Sequence, residues 1–282
     1  MQLEQRATER NGMLAYGVAG EGPAVVLLHG WPESQHAWRT VWPSIVAAGH
    51  RVVVPDLRGV GGSDRSPSAD YSWAGYAADL DAILAAEGVD RPALVGHDMG
   101  GVVMFEWALR NAERVASLIA ISTSFHRYEL RTSYYLVPMV TPGLGRLVLR
   151  LASGSRRAFA ATVRRNTLSP DAFSDDDVDE YFRAAGSASS RRAIAASYRE
   201  LFRSRRRRTR DVGDVRLTCP ALVIWGTREW ALGDDGWRRI VADLPQAQVE
   251  IVDAGHFVME EQPEVVADLV TTFLRAEGSP PR

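Results

Sequence analysis

The sequence contains no lysine; all 33 of its basic residues are arginine. Schiff-base chemistry and lysine nucleophiles are therefore excluded. A single cysteine, Cys219, rules out an internal disulfide and has nothing resembling a metal site near it, so a reducing, cytoplasmic setting is expected. The six histidines show no His-Glu-x-x-His or similar spacing, and neither a metal nor an organic cofactor is expected. Met1 to Asn11 is charged and lacks an apolar core, which argues against a signal peptide and against a membrane span. The formal net charge of −2 gives no global reason to expect nucleic acid or an anionic membrane as partner. One stretch is strongly basic: Arg203 to Arg210 holds six arginines in eight positions. It has no interleaved aromatics and is followed by Asp211 and Asp214, so a solvated hinge is favoured over a phosphate-binding patch.

What the chain does have is 282 residues with 46% hydrophobic content, enough for one sizeable α/β domain with room for an inserted lobe. Short apolar runs of the kind buried in a parallel sheet occur at Val25–Leu28, Val52–Val54, Ala93–Val95, Leu118–Ile121, Ala221–Trp225 and Val249–Val252. Between the second and third, Asp56–Asp64 superficially resembles a dinucleotide fingerprint, but the third glycine is missing and a loop with Pro67 follows, so a structural turn is the reading. Ser72 is placed to cap a helix from about Trp73 to Ala86, which Gly88 ends. Strand, loop and helix alternate in this way, which predicts an α/β fold with a mostly parallel sheet covered by helices on both faces. From about His126 to Asp211 no buried β run occurs, and the helical spacing there predicts an inserted helical cap. The expected division is a core of residues 1–125 and 213–282 and a cap of 126–212. A helix from Glu264 to Arg275 closes the domain, and the sequence past Glu277 reads as frayed.

The organising stretch is Val95-Gly96-His97-Asp98-Met99-Gly100-Gly101, where a strand runs into Gly-x-Asp-x-Gly and then into a buried helical segment, Val102 to Leu109. In such an elbow the flanking glycines permit a sharp, strained turn that presents one side chain above the sheet. Here that side chain is a carboxylate. A serine needs a base before it attacks, whereas an aspartate is charged at neutral pH and can displace a leaving group from saturated carbon. The competing reading is an Asp98 that merely caps a helix in a Gly-rich turn. Other strand ends bear on the choice: His29-Gly30-Trp31-Pro32 follows the first apolar strand, Glu229 the fifth and His256 the sixth. Loops at strand carboxyl ends are where α/β sheets place their sites.

Nucleophile, acid, histidine is the chain order of the α/β-hydrolase constellation, and the sequence resembles that family over nearly its whole length. An aspartate in the elbow together with His-Gly-Trp-Pro resembles the epoxide hydrolase family. That resemblance implies two cap tyrosines aimed at the epoxide oxygen. Tyr135, ahead of Pro142-Gly143, and Tyr198, in Tyr198-Arg199, fill the matching positions, with Tyr134 the alternative to Tyr135. It further implies that Asp98 forms an alkyl-enzyme ester, that His256 activates the water hydrolysing it, and that the backbone N–H groups of Trp31 and Met99 form the oxyanion hole. The expected substrate is a small-molecule epoxide and the product a vicinal diol, with Trp31, Tyr135, Tyr198, Trp230 and Phe257 lining the substrate site. In one respect the chain departs from the family: Glu229 stands where relatives usually carry aspartate, and Asp234 or Asp235 is the alternative acid. His29 is expected to shape the oxyanion loop and His97 to be a packed structural residue pointing away from the cavity. The expected assembly is a monomer or homodimer. A haloalkane or haloacid dehalogenase using the same Asp98 and His256 is the nearest alternative, and a non-enzymatic ligand-binding protein on the same fold a more distant one.

Overall fold

The structure, a computed structural model, describes residues 1–124, 137, 138, 141, 143–203 and 216–278. The first two strands have no counterpart among the apolar runs. β1 (Glu4–Glu9) and β2 (Met13–Ala19) form an antiparallel hairpin in which Glu4 opposes Val18 and Glu9 opposes Met13. Asn11 and Gly12 turn the chain with φ of 49° and 108°. β2 then pairs antiparallel with β4 (Arg51–Pro55), which pairs parallel with β3 (Ala24–Leu28). β5 (Ala93–His97), β6 (Ser117–Ile121), β7 (Ala221–Gly226) and β8 (Gln248–Val252) extend the sheet in parallel, in the order β1-β2-β4-β3-β5-β6-β7-β8.

Side-chain alternation explains why the central strands are apolar throughout. Val26 and Leu28 join one buried cluster, while Val25 and Leu27 join the other, and β6 divides in the same way, with Leu118 and Ala120 on one side and Ile119 and Ile121 on the other. The first cluster is closed by α2 (Trp73–Ala86) and α3 (Asp98–Arg110), through residues such as Tyr76, Leu80, Val102 and Phe105. Ser72 caps α2, its hydroxyl accepting the Gly75 N–H at 3.0 Å. The second is closed by α1 (Trp42–Ala47) and the C-terminal helix at Pro263–Gly278, through Trp42, Ile45, Val266 and Phe273. Each fully buried aliphatic side chain of this kind contributes roughly 1.5–3 kcal/mol.

Between β6 and β7 the described residues are helical: α4 (Leu144–Ser153), α5 (Arg156–Arg165), α6 (Asp175–Ala185) and α7 (Ala188–Arg203). Ser174 opens α6 with a capping box, its hydroxyl receiving the Asp177 N–H while Asp177 receives the Ser174 N–H. These helices share the two cores: Leu149 and Ile194 belong to the first cluster, and Phe159, Val163 and Tyr181 to the second. The α7 helix is also tied to α2 by a 2.7 Å hydrogen bond between the hydroxyls of Tyr76 and Ser197, both buried. No helix among the described residues is long and apolar enough to cross a membrane.

Candidate active site

The elbow follows from two glycines. Cβ atoms added at Gly96 and Gly100 would lie 2.5 Å from Gly101 Cα and 2.2 Å from Leu28 O, so strand, helix and neighbouring strand can approach this closely only without side chains there. Asp98 sits on the turn with φ of 45°, a conformation that a non-glycine residue adopts only when its surroundings enforce it. The Thr123 hydroxyl, at the end of β6, donates to the Asp98 carbonyl at 2.6 Å and helps to hold it. The side chain stands at the N-terminus of α3, where the helix dipole favours negative charge.

The two carboxylate oxygens of Asp98 have different surroundings. Oδ2 accepts the Trp31 backbone N–H at 3.0 Å, whereas Oδ1 lies 4.0 Å from His256 Nε2. Among the described contacts Trp31 is the only donor on this carboxylate; Met99, the next helical residue, is buried beside it. His256 Nδ1 in turn meets Glu229, 2.8 Å from Oε2 and 3.0 Å from Oε1. Glu229 is wholly buried and is fixed by the N–H groups of Ala231 and Leu232 at 2.9 and 3.2 Å. Asp234 and Asp235 are both exposed. Burial alone would favour neutral His256, but the Glu229 carboxylate and its hydrogen bond, with Asp98 and Glu33 beyond, push its pKa up to about 9. Burial also opposes charge on Glu229, yet His256 and the donors around it hold its carboxyl below the usual range.

A cavity of about 230 Å³ opens over these groups, and Trp31, Asp98, Tyr198, Trp230, His256 and Phe257 line it. Tyr198 reaches it from α7 and meets Trp31 edge to face, 6.3 Å between ring centres. Phe257 and Trp230 flank His256 edge to face at 5.1 and 6.2 Å. A family model described as the alpha/beta hydrolase fold matches residues 23–263. A soluble epoxide hydrolase of Corynebacterium sp. (strain C12) is 31% identical over 271 residues, 92% of either chain.

The chain belongs to the epoxide hydrolase family of the α/β-hydrolases.

Epoxide hydrolase A of Mycobacterium tuberculosis is 28% identical, covering 96% of this chain and 97% of its own. A solved structure of the epoxide hydrolase CorEH superimposes with a TM-score of 0.82 at 26% identity, covering 98% of this chain and 99% of the other. Of the residues that the family resemblance singles out, Asp98, Trp31, Glu229, His256, Tyr198, Trp230 and Phe257 converge on one cavity, with Glu229 behind it holding His256. Tyr134 and Tyr135 lie outside the described residues. His29 is buried between two loops: its Nε2 accepts the Leu57 N–H at 3.0 Å, which leaves Nδ1–H to donate to the Gly30 carbonyl at 2.8 Å. Trp107 is wholly buried in the core and takes no part in the cavity lining.

The sequence reading does not anticipate one buried pair. His97 Nδ1 lies 2.9 Å from Glu33 Oε2, the oxygen that also accepts the Gly30 N–H at 3.2 Å. His97 Nε2 faces the His256 carbonyl oxygen at 3.0 Å. His97 is packed, as its position on the strand suggests, but it also connects the loop after β3, the elbow and the loop that carries His256. The signal available in the sequence is Glu33, a carboxylate directly after an apolar strand and its His-Gly-Trp-Pro turn.

Proposed function

We propose that the chain hydrolyses epoxides to vicinal diols through an ester on Asp98. The observation that carries this reading is the asymmetry of the Asp98 carboxylate: Oδ2 is held by the Trp31 N–H and Oδ1 faces His256, in a cavity that Tyr198 also lines. The relatives' printed names, epoxide hydrolases, support it.

Oδ1 attacks an epoxide carbon in line with the C–O bond. As that bond breaks, its electron pair moves to the ring oxygen, which takes the Tyr198 phenol proton; Tyr135 is the second donor in this scheme. Phenols stay protonated at neutral pH and so can polarise the oxygen before the ring opens. Ester formation removes the Asp98 charge, one of the influences that raise the His256 pKa, so the imidazole gives up its proton more readily and its neutral form becomes available as the base once substrate is attached. His256 Nε2 then takes a proton from water, whose oxygen attacks Cγ of the ester. The negative charge develops on Oδ2, where the Trp31 and Met99 N–H groups receive it; losing one such donor typically costs about 3 kcal/mol. Collapse breaks the bond between Cγ and the alkyl oxygen, and the departing alkoxide takes the proton from His256. The proton left on the regenerated carboxyl restores the phenol. Glu229 orients the imidazole and stabilises its charged form throughout. A cavity of about 230 Å³ suits small aryl or alkyl epoxides.

The test is to mix His256→Gln protein with a panel of small epoxides and measure intact mass. The expected result is an increase equal to one epoxide, mapping to Asp98 by peptide sequencing, while the wild-type protein releases diol. Absence of an adduct on Asp98 across the panel overturns the mechanism. Halide release from haloalkanes, without diol from epoxides, favours a dehalogenase.

A further inference from the structure

A second cavity, of about 470 Å³, lies on the other side of α7 and shares no lining residue with the cavity over Asp98. Four guanidinium groups border it: Arg65 from the core loop, Arg146 from α4, and Arg192 and Arg199 from α7. Tyr71 and Ser189 also line it, with the Tyr71 hydroxyl donating to the Ser66 carbonyl and the Ser189 hydroxyl bonded to that of Ser187.

These arginines differ from others in the chain that are held by carboxylates. Arg39 is bonded to Asp177 and Glu260 at 2.8 and 2.9 Å, Arg58 to Asp79 at 2.7 Å and Arg164 to Asp175 at 2.8 Å. No carboxylate among the described residues forms an ion pair with Arg65, Arg146, Arg192 or Arg199. Among the described residues Arg65 donates only to the carbonyl oxygens of Gly61 and Ala184, and its buried Nε has no partner there. Nearby Arg191 is held below the usual arginine range by burial and by the charges of Arg150 and Arg192, so the region carries an excess of like charge. Cations that line one cavity repel one another, an effect that the Asp64 carboxylate acting on Tyr71 offsets only in part, and an anion that bridges them removes the remaining repulsion. Guanidinium forks match phosphate and carboxylate oxygens in pairs.

We propose that this cavity is a binding site for a compact organic polyanion bearing phosphate or carboxylate groups. Its volume is within the range of small-molecule pockets. The inference does not depend on the reaction proposed for Asp98, because binding is read directly.

The experiment is a calorimetric titration of the full chain with inorganic pyrophosphate and, separately, with citrate, at ionic strength held constant with sodium chloride. Saturable binding of one anion per chain is expected, weakened at least about tenfold in Arg146→Gln/Arg192→Gln. Both residues are exposed, so the variant should melt at the wild-type temperature without ligand. If it does not, Arg146→Gln alone provides the comparison. Saturation by pyrophosphate only assigns a phosphate-bearing ligand, and by citrate only a carboxylate-bearing one. Saturable binding that is unchanged in the variants, or no saturable heat from either probe at millimolar concentration, overturns the proposal.

Discussion

Glu33 and His97, both fully buried, meet at 2.9 Å, and His97 directly precedes Asp98 in the chain. The same Glu33 oxygen fastens the Gly30 N–H, so a single carboxylate fixes the loop that supplies the Trp31 donor to the strand that presents Asp98. Its other oxygen, Oε1, has no hydrogen-bond partner among the described residues.

Removing one partner of a buried charged pair leaves the other desolvated and uncompensated. Glu33→Ala is therefore expected to lower stability by about 3–5 kcal/mol, measured by urea unfolding. Glu33→Gln keeps an amide in the same space and should cost less, yet it removes one of the charges that raise the His256 pKa. The apparent pKa of His256, followed by NMR, should fall in Glu33→Gln; an unchanged value would contradict the charge relationship.

The His256 pKa has a consequence for stability with a definite sign. In the unfolded chain the imidazole titrates near 6.5, and in the folded protein at about 9. The folded state thus binds the proton more tightly, and the stabilisation is complete below pH 6.5 and lost as pH rises through about 9. Unfolding free energy should decline across that window in the wild-type protein. Glu229→Gln, which removes the largest influence raising this pKa, should flatten the decline.

Tyr198→Phe deletes a hydroxyl at the cavity and little else. If the phenol donates to the ring oxygen, the ring-opening rate should fall by roughly 10²–10⁴, read from single-turnover formation of the ester. Circular dichroism and melting temperature should change little. Equal loss of rate on an alkyl halide, which needs no such proton, would count against the donor role.

The elbow permits no side chain at position 100. Gly100→Ala would drive a methyl group into Leu28 O and His29 O, backbone atoms that cannot rotate aside. A stability loss of about 1–3 kcal/mol, typical of overpacking, is expected together with loss of hydrolysis. At position 101 the obstruction is the Thr123 side chain, so the comparison variant Gly101→Ala tests whether it is backbone contact that forbids the substitution.

Residues whose surroundings are apolar on every side were readable in advance. Val25–Leu28 and Leu118–Ile121 are buried on both faces, which leaves an unbroken apolar run in the sequence. β1 has the opposite character: Glu4–Glu9 is an edge strand, mostly exposed, held by the β2 backbone and not by burial, so its sequence carries no apolar signal. Asp98, Glu229 and His256 were legible because each follows the carboxyl end of a strand, and strand order brings those ends together. The Glu33–His97 pair was not, because its two members become neighbours only when β3 lies beside β5, and neither residue is part of a recognisable spacing. The segment between β6 and β7 gave its helical character through periodicity but not the cavities it borders, whose shapes depend on how α4 and α7 pack against their neighbours.

The hydrogen bond between Tyr76 and Ser197 gives protein engineers a handle outside the pocket. Tyr76 belongs to a core helix and does not line the cavity over Asp98, while Ser197 directly precedes Tyr198 in the chain. Changes at position 76 should therefore shift the Tyr198 ring without altering any residue that lines that cavity. Regioselectivity of the proposed epoxide opening could be bred from α2 while the lining of the cavity over Asp98 is left as it is.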